Sequence, residues 1–174
     1  MTDAIDILDD SFTSIHDTVR RVLDGLEPAE LTARPGRVAD ANTIAWLVWH
    51  LTRVQDDHIA DAAGTEQVWT SGGWAERFDL PFDPDATGYG QTADQVGQVA
   101  GSGVTAESLL GYHEAVFEAT RAYLGTLSSA DLDRVVDENW NPPVTLAVRL
   151  VSVVNDDTQH AGQAAYARGL LSRP

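Results

Sequence analysis

Four stretches of this chain repeat their apolar residues every three or four positions, and none sustains an alternation of two, so packed helices are the expected fold. The first stretch runs from about Asp3 to Leu26 through Ile5, Leu8, Phe12, Ile15, Val19, Val22 and Leu23, with Gly25 and Pro28 as stop signals. The second begins near Asn42, a good N-cap, and reaches Ala63 before Gly64, with a stripe of Ile44, Leu47, Val48, Leu51 and Val54. The third spans Thr105 to Leu127, where Thr105-Ala-Glu-Ser lacks the acid that would complete a capping box. The fourth extends from about Thr145 to Leu171. Four such helices predict an all-α chain: a four-helix bundle occupying residues 1–174 as a single domain.

Residues 64–104 break this pattern. They hold eight of the fourteen glycines, together with Trp69, Trp74, Phe78, Phe82, Pro81 and Pro84, and read as a long loop insert between the second and third helices. A short helix is expected around Ala93–Val99. The four aromatic residues either line a pocket or, the favoured reading, cover the open end of the bundle or form a homodimer contact.

Composition narrows the function. The net charge of −16 repels phosphate, which argues against nucleic acid and anionic membranes as partners. All eleven basic residues are Arg, so Schiff-base lysine chemistry is excluded. Cys is absent, and any bound metal must take nitrogen and oxygen ligands. Asp3, Asp6, Asp9 and Asp10 interrupt the first thirty residues, no apolar run approaches the ~20 residues of a membrane span, and a soluble cytoplasmic protein is expected.

The histidines are His16, His50, His58, His113 and His160. A helical histidine taken singly is more often a core or surface residue than a ligand, and His16 and His113 have no partner at helical spacing. Asp156 and His160 stand one turn apart on the apolar flank of the fourth helix, where two polar groups need a partner. They can satisfy each other through an Asp–His hydrogen bond, or a metal ion can take both and recruit a third donor from a facing helix. His50 and His58 both approach the stripe of the second helix, and spacing does not choose between them.

The stretch Asn42-Thr-Ile-Ala-Trp-Leu-Val-Trp-His50-Leu-Thr-Arg-Val-Gln-Asp-Asp-His resembles the second-helix motif of the DinB-like superfamily. Val154-Asn-Asp-Asp-Thr-Gln-His160-Ala-Gly-Gln163 is similar to that family's second signature. The aromatic insert and Gly88-Tyr-Gly look like its mycothiol-linked branch, which includes thiol S-transferases and the N-terminal domain of mycothiol-dependent maleylpyruvate isomerase. The resemblance implies a divalent metal, zinc or nickel, held by His50, Asp156 and His160, and mycothiol as thiol co-substrate. Asp156 departs from the family, which carries His or Glu there, and Asp157 could substitute for it or support an imidazole. His58 then becomes a rim or core residue. The isomerases add a C-terminal domain, and a chain ending at Pro174 makes isomerase activity the weaker choice.

The function these implications lead to is a metal-dependent thiol S-transferase joining mycothiol to a small-molecule electrophile, with the metal activating the thiol. A hydrolase using water in place of thiol, and a non-catalytic bundle that binds a ligand or partner, are the competing readings. Arg149, on the flank of Asp156 and His160, either holds a substrate carboxylate or balances the acids.

Overall fold

The computed structural model describes residues 3–171. Four long helices, α1 (Ala4–Leu23), α3 (Ile44–Ala63), α7 (Ala106–Leu124) and α8 (Leu146–Leu171), form the bundle. α1 and α3 each pack on both α7 and α8, which sets α1 and α3 diagonally opposite each other. Short helices fill the connections: α2 (Pro28–Thr32) precedes α3, while α4 (Val68–Ser71), α5 (Trp74–Phe78) and α6 (Ala93–Val96) punctuate the insert. The expected long insert is therefore partly helical. Two short strands, β1 (Val135–Asp137) and β2 (Val144–Thr145), pair antiparallel just before α8. They are too short to produce a period of two in the sequence.

Helix ends follow local chemistry. Asp3 caps α1, accepting hydrogen bonds from the Ile5 and Asp6 amides, while the Asp6 carboxylate accepts from the Asp3 amide. Three expectations at helix ends are corrected. Pro28 opens α2 instead of only ending α1, because the first helical position needs no N–H. Thr43, one residue beyond Asn42, caps α3 by accepting from the Trp46 amide at 3.2 Å. At α7 a reciprocal box does form: Thr105 Oγ1 accepts from the Ser108 amide, and Ser108 Oγ accepts from the Thr105 amide at 2.9 Å. The serine hydroxyl does the work expected of an acid.

The core takes the predicted stripe of α1, with Leu8, Phe12, Ile15, Val19, Val22 and Leu23 buried. α3 behaves differently, since every residue from Ile44 to Arg53 is buried. The insert wraps the side of α3 that the bundle leaves uncovered. Trp49 meets Trp69 and Phe82 there, and Tyr112 of α7 meets Trp69, Trp74 and Phe78. The aromatic residues of the insert thus cover the bundle.

A buried ion pair fixes this cover. Arg53 is 0% exposed and lies 3.7 Å from the Asp56 carboxylate. Asp56 accepts from the amides of Val68 and Trp69 at 2.8 and 2.7 Å and from the Tyr112 hydroxyl at 2.8 Å. Burial raises the Asp56 pKa and these hydrogen bonds oppose the rise. Arg53 donates to Gln67 Oε1 at 2.7 Å and to the carbonyls of Ala86 and Pro84 at 3.2 and 3.3 Å. Asp56→Ala strands the guanidinium in the core, and urea unfolding is expected to show a loss of about 3–5 kcal/mol.

His113 is also buried. Thr52 donates its hydroxyl proton to the Val48 carbonyl, so its oxygen accepts from His113 Nδ1 at 3.1 Å. His113 Nε2 has no hydrogen-bond partner among the described residues. His16 packs between Phe117 and His113, with ring centroids 4.3 and 5.5 Å away. Both histidines therefore have partners across helices. Desolvation, with His16 adding to it, lowers the His113 pKa from 6.5 to about 3. Below pH 6.5 the unfolded state takes up a proton that the folded state refuses, so stability falls with acidification through this window and is fully present above it. Urea titrations should show wild type losing stability relative to His113→Gln by up to about 1.4 kcal/mol per pH unit.

Candidate metal centre

His50 of α3 meets Asp156 and His160 of α8, and one ligand atom from each lies within 4.8 Å of the other two. Adjacent turns of α8 present Asp156 and His160 on one side. His50 reaches them from the neighbouring helix, its ring 4.7 Å from that of His160 at an interplanar angle of 76°.

Each imidazole has one nitrogen committed elsewhere. His50 Nδ1 lies 2.6 Å from the Thr87 carbonyl oxygen, which can only accept, so the proton sits on Nδ1. His160 Nδ1 lies 3.2 Å from Gln163 Oε1. The Nε2 atoms are left for the centre of the group. Trp46 stacks over His50 at 4.5 Å and presents an edge to His160 at 6.1 Å. Its indole N–H donates to Gln91 Oε1 of the insert at 2.7 Å.

The carboxylate is under-used by the protein itself. Asp156 Oδ1 is 3.7 Å from His160 Nε2, too long for a hydrogen bond, and its buried Oδ2 has no partner among the described residues. The Asp–His hydrogen bond that would satisfy the pair without a metal is not formed. Burial lowers the His50 pKa, the Thr87 hydrogen bond opposing this, which favours the neutral imidazole a cation requires. An orphaned carboxylate oxygen and two oriented imidazoles make a nitrogen–oxygen donor set that could hold a divalent metal.

The other sequence candidates fall elsewhere. Asp157 is fully buried, neither oxygen has a hydrogen-bond partner among the described residues, and it lies outside the converging group. Desolvation, then the Asp156 charge, pushes its pKa well above the ordinary carboxylate range. His58 is half-buried and pairs with Asp57 at 3.5 Å. Arg149 is bound to Asp137 at 3.0 Å, and so balances an acid of β1.

Sequence reasoning assigned no role to Trp46, Gln91, Thr87 or Gln163. Gln163 was detectable as a partner one turn beyond His160. The Thr87 carbonyl carried no such signal, because a backbone acceptor leaves no mark on residue type.

A mainly helical bundle with a long insert, in which His50 of α3 faces Asp156 and His160 of α8, is the arrangement expected of a DinB-like bundle. The chain belongs to the mycothiol S-transferase family, whose model matches residues 7–172. Among solved structures it is similar to a conserved protein from Enterococcus faecalis, at 27% identity and a TM-score of 0.88, over 99% of this chain and 100% of that one. No curated protein matches the chain significantly. Among the described residues, no helix is long and apolar enough to cross a membrane.

Proposed function

We propose that the protein is a metal-dependent thiol S-transferase, a single bundle domain that joins mycothiol to a small electrophile. The observation carrying this reading is the convergence of His50, Asp156 and His160, placed within 4.8 Å by a chain of the mycothiol S-transferase family. His50 and His160 would hold the ion through Nε2, and Asp156 through its carboxylate. Zinc and nickel both suit two imidazoles and a carboxylate. A bound divalent metal supplies Lewis acidity that lowers the pKa of a thiol beside it.

The chain's own residues carry the remaining tasks. Thr87 and Gln163 fix the imidazole orientations, so that little rearrangement accompanies binding. Trp46 shields one face of His50 from water. Three donors from the protein would leave a coordination position for a small molecule. The absence of Cys keeps the protein's own side chains from competing as thiols.

Metal analysis by plasma mass spectrometry on tag-free protein tests the reading. Wild type should carry about one equivalent of a divalent metal, lost in His50→Ala, Asp156→Ala and His160→Ala and kept in Asp157→Asn. Conjugation of mycothiol to an alkyl halide should fall with the metal in the same variants. Hydrolysis in place of conjugation would favour the water-using alternative, and a folded wild type that cannot be loaded would remove the enzymatic reading.

A further inference from the structure

The side of His50 away from the candidate ion is occupied by the insert, and the insert is held there by the same helix that carries His50. Arg53, three residues beyond His50 on α3, donates to the carbonyls of Pro84 and Ala86. The next carbonyl, of Thr87, accepts from His50 Nδ1 at 2.6 Å. Three carbonyls within four residues are therefore gripped by two side chains of one helix. The residue that follows is Gly88, at a φ of 95°. A Cβ built on it would lie 2.8 Å from His50 Nδ1 and 3.0 Å from Cζ3 of Trp49. Any side chain there pushes against the ring whose hydrogen bond the preceding carbonyl accepts.

We infer that the Pro84–Gly88 strap is the device that orients His50 for metal, and that Gly88 is a positioning residue of the centre although it offers no ligand. The inference rests on the assignment of His50 as a metal ligand. The strap does two things. Its carbonyl fixes the proton on Nδ1, which leaves the Nε2 lone pair for the ion, and its lack of a side chain at Gly88 lets the backbone come close enough to do so. Arg53 transmits the constraint: its guanidinium is fully buried, so releasing the strap would leave donors unsatisfied in the core.

Gly90 provides the control. Its φ of 73° is also in the region that disfavours side chains, yet no atom lies within 4 Å of a Cβ built there. Gly90→Ala therefore imposes backbone strain without touching His50, whereas Gly88→Ala imposes strain and collision together. The test uses the full chain. Nitrogen NMR of the imidazoles in metal-free wild type should place the His50 proton on Nδ1, and a proton on Nε2 would overturn the inference. Zinc affinity is then measured by competition with a chromophoric chelator. Gly88→Ala should bind about 10- to 100-fold more weakly than wild type, the usual effect of losing an outer partner of a ligand, while Gly90→Ala stays near wild type. If Gly88→Ala binds zinc as Gly90→Ala does, the strap has no positioning role and the metal centre still stands. Wild type that takes up no zinc overturns both. The tautomer is read on wild type alone, so it decides the matter if Gly88→Ala does not fold.

Discussion

A guanidinium that cannot reach water sets the terms for this structure. Arg53 is buried in the middle of a helix, and a buried charge persists only when it is paired and its donors are met. Asp56 supplies the countercharge, and Gln67, the carbonyls of Pro84 and Ala86, and the Tyr112 hydroxyl supply acceptors. All but Asp56 and Tyr112 come from the insert. The insert therefore has to lie against α3, and the aromatic residues that cover α3 follow from that requirement. The Asp56 carboxylate closes the arrangement by accepting the first amides of α4, where the partial positive charge of a helix start favours an anion.

The same contact decides the chemistry open to the site. An imidazole free to rotate would offer either nitrogen, and burial alone would favour whichever tautomer found an acceptor. With the Thr87 carbonyl at its back, His50 has one arrangement that satisfies its hydrogen bond and presents a lone pair to α8. On α8, two adjacent carboxyls have divided environments. Asp156 points to the converging histidines and is partly exposed, whereas Asp157 is buried with no hydrogen-bond partner among the described residues and is pushed toward its neutral form. The site thus faces the carboxyl that keeps some contact with solvent, not the one sealed in the core. Of the two acids that helical spacing left open, Asp156 is the one that lies in the converging group.

How much could be read beforehand depended on whether the deciding contact was local. The α1 stripe was legible because one face meets the core and the opposite face meets water, so residue type tracks burial. The placing of Asp156 beside His160 was legible for a similar reason, since one helical turn fixes which side chains are neighbours. α3 was harder. Its stripe of Ile44, Leu47, Val48, Leu51 and Val54 suggested a one-sided helix, but the insert buries Trp46, Trp49 and Arg53 on the remaining faces. Arg53 in particular carries no local signal of burial, because nothing nearby in sequence announces that the carbonyls of Pro84 and Ala86 will surround it. At Thr105 the difficulty was chemical: a serine hydroxyl can both accept and donate, so it closes a capping box without an acid.

His50 and His58 show where local reasoning stops. Both stand on α3, both approach its stripe, and burial lowers the pKa of both. Eight residues apart, they differ in what lies beside them. His58 sits among Asp57, Asp61 and Arg149, half-open to solvent, with its ring beside the half-exposed Asp57 carboxylate. His50 sits beneath Trp46 and against the backbone of the insert, facing a carboxylate oxygen without a hydrogen-bond partner among the described residues. A flexible, solvated imidazole must lose its freedom and its water when it takes a metal, while one already held by a carbonyl and an indole has little left to lose. Histidine type is the same at both positions. The tertiary acceptor behind the ring makes one of them a candidate ligand, and that acceptor is a peptide carbonyl which only a glycine at the next position allows so close.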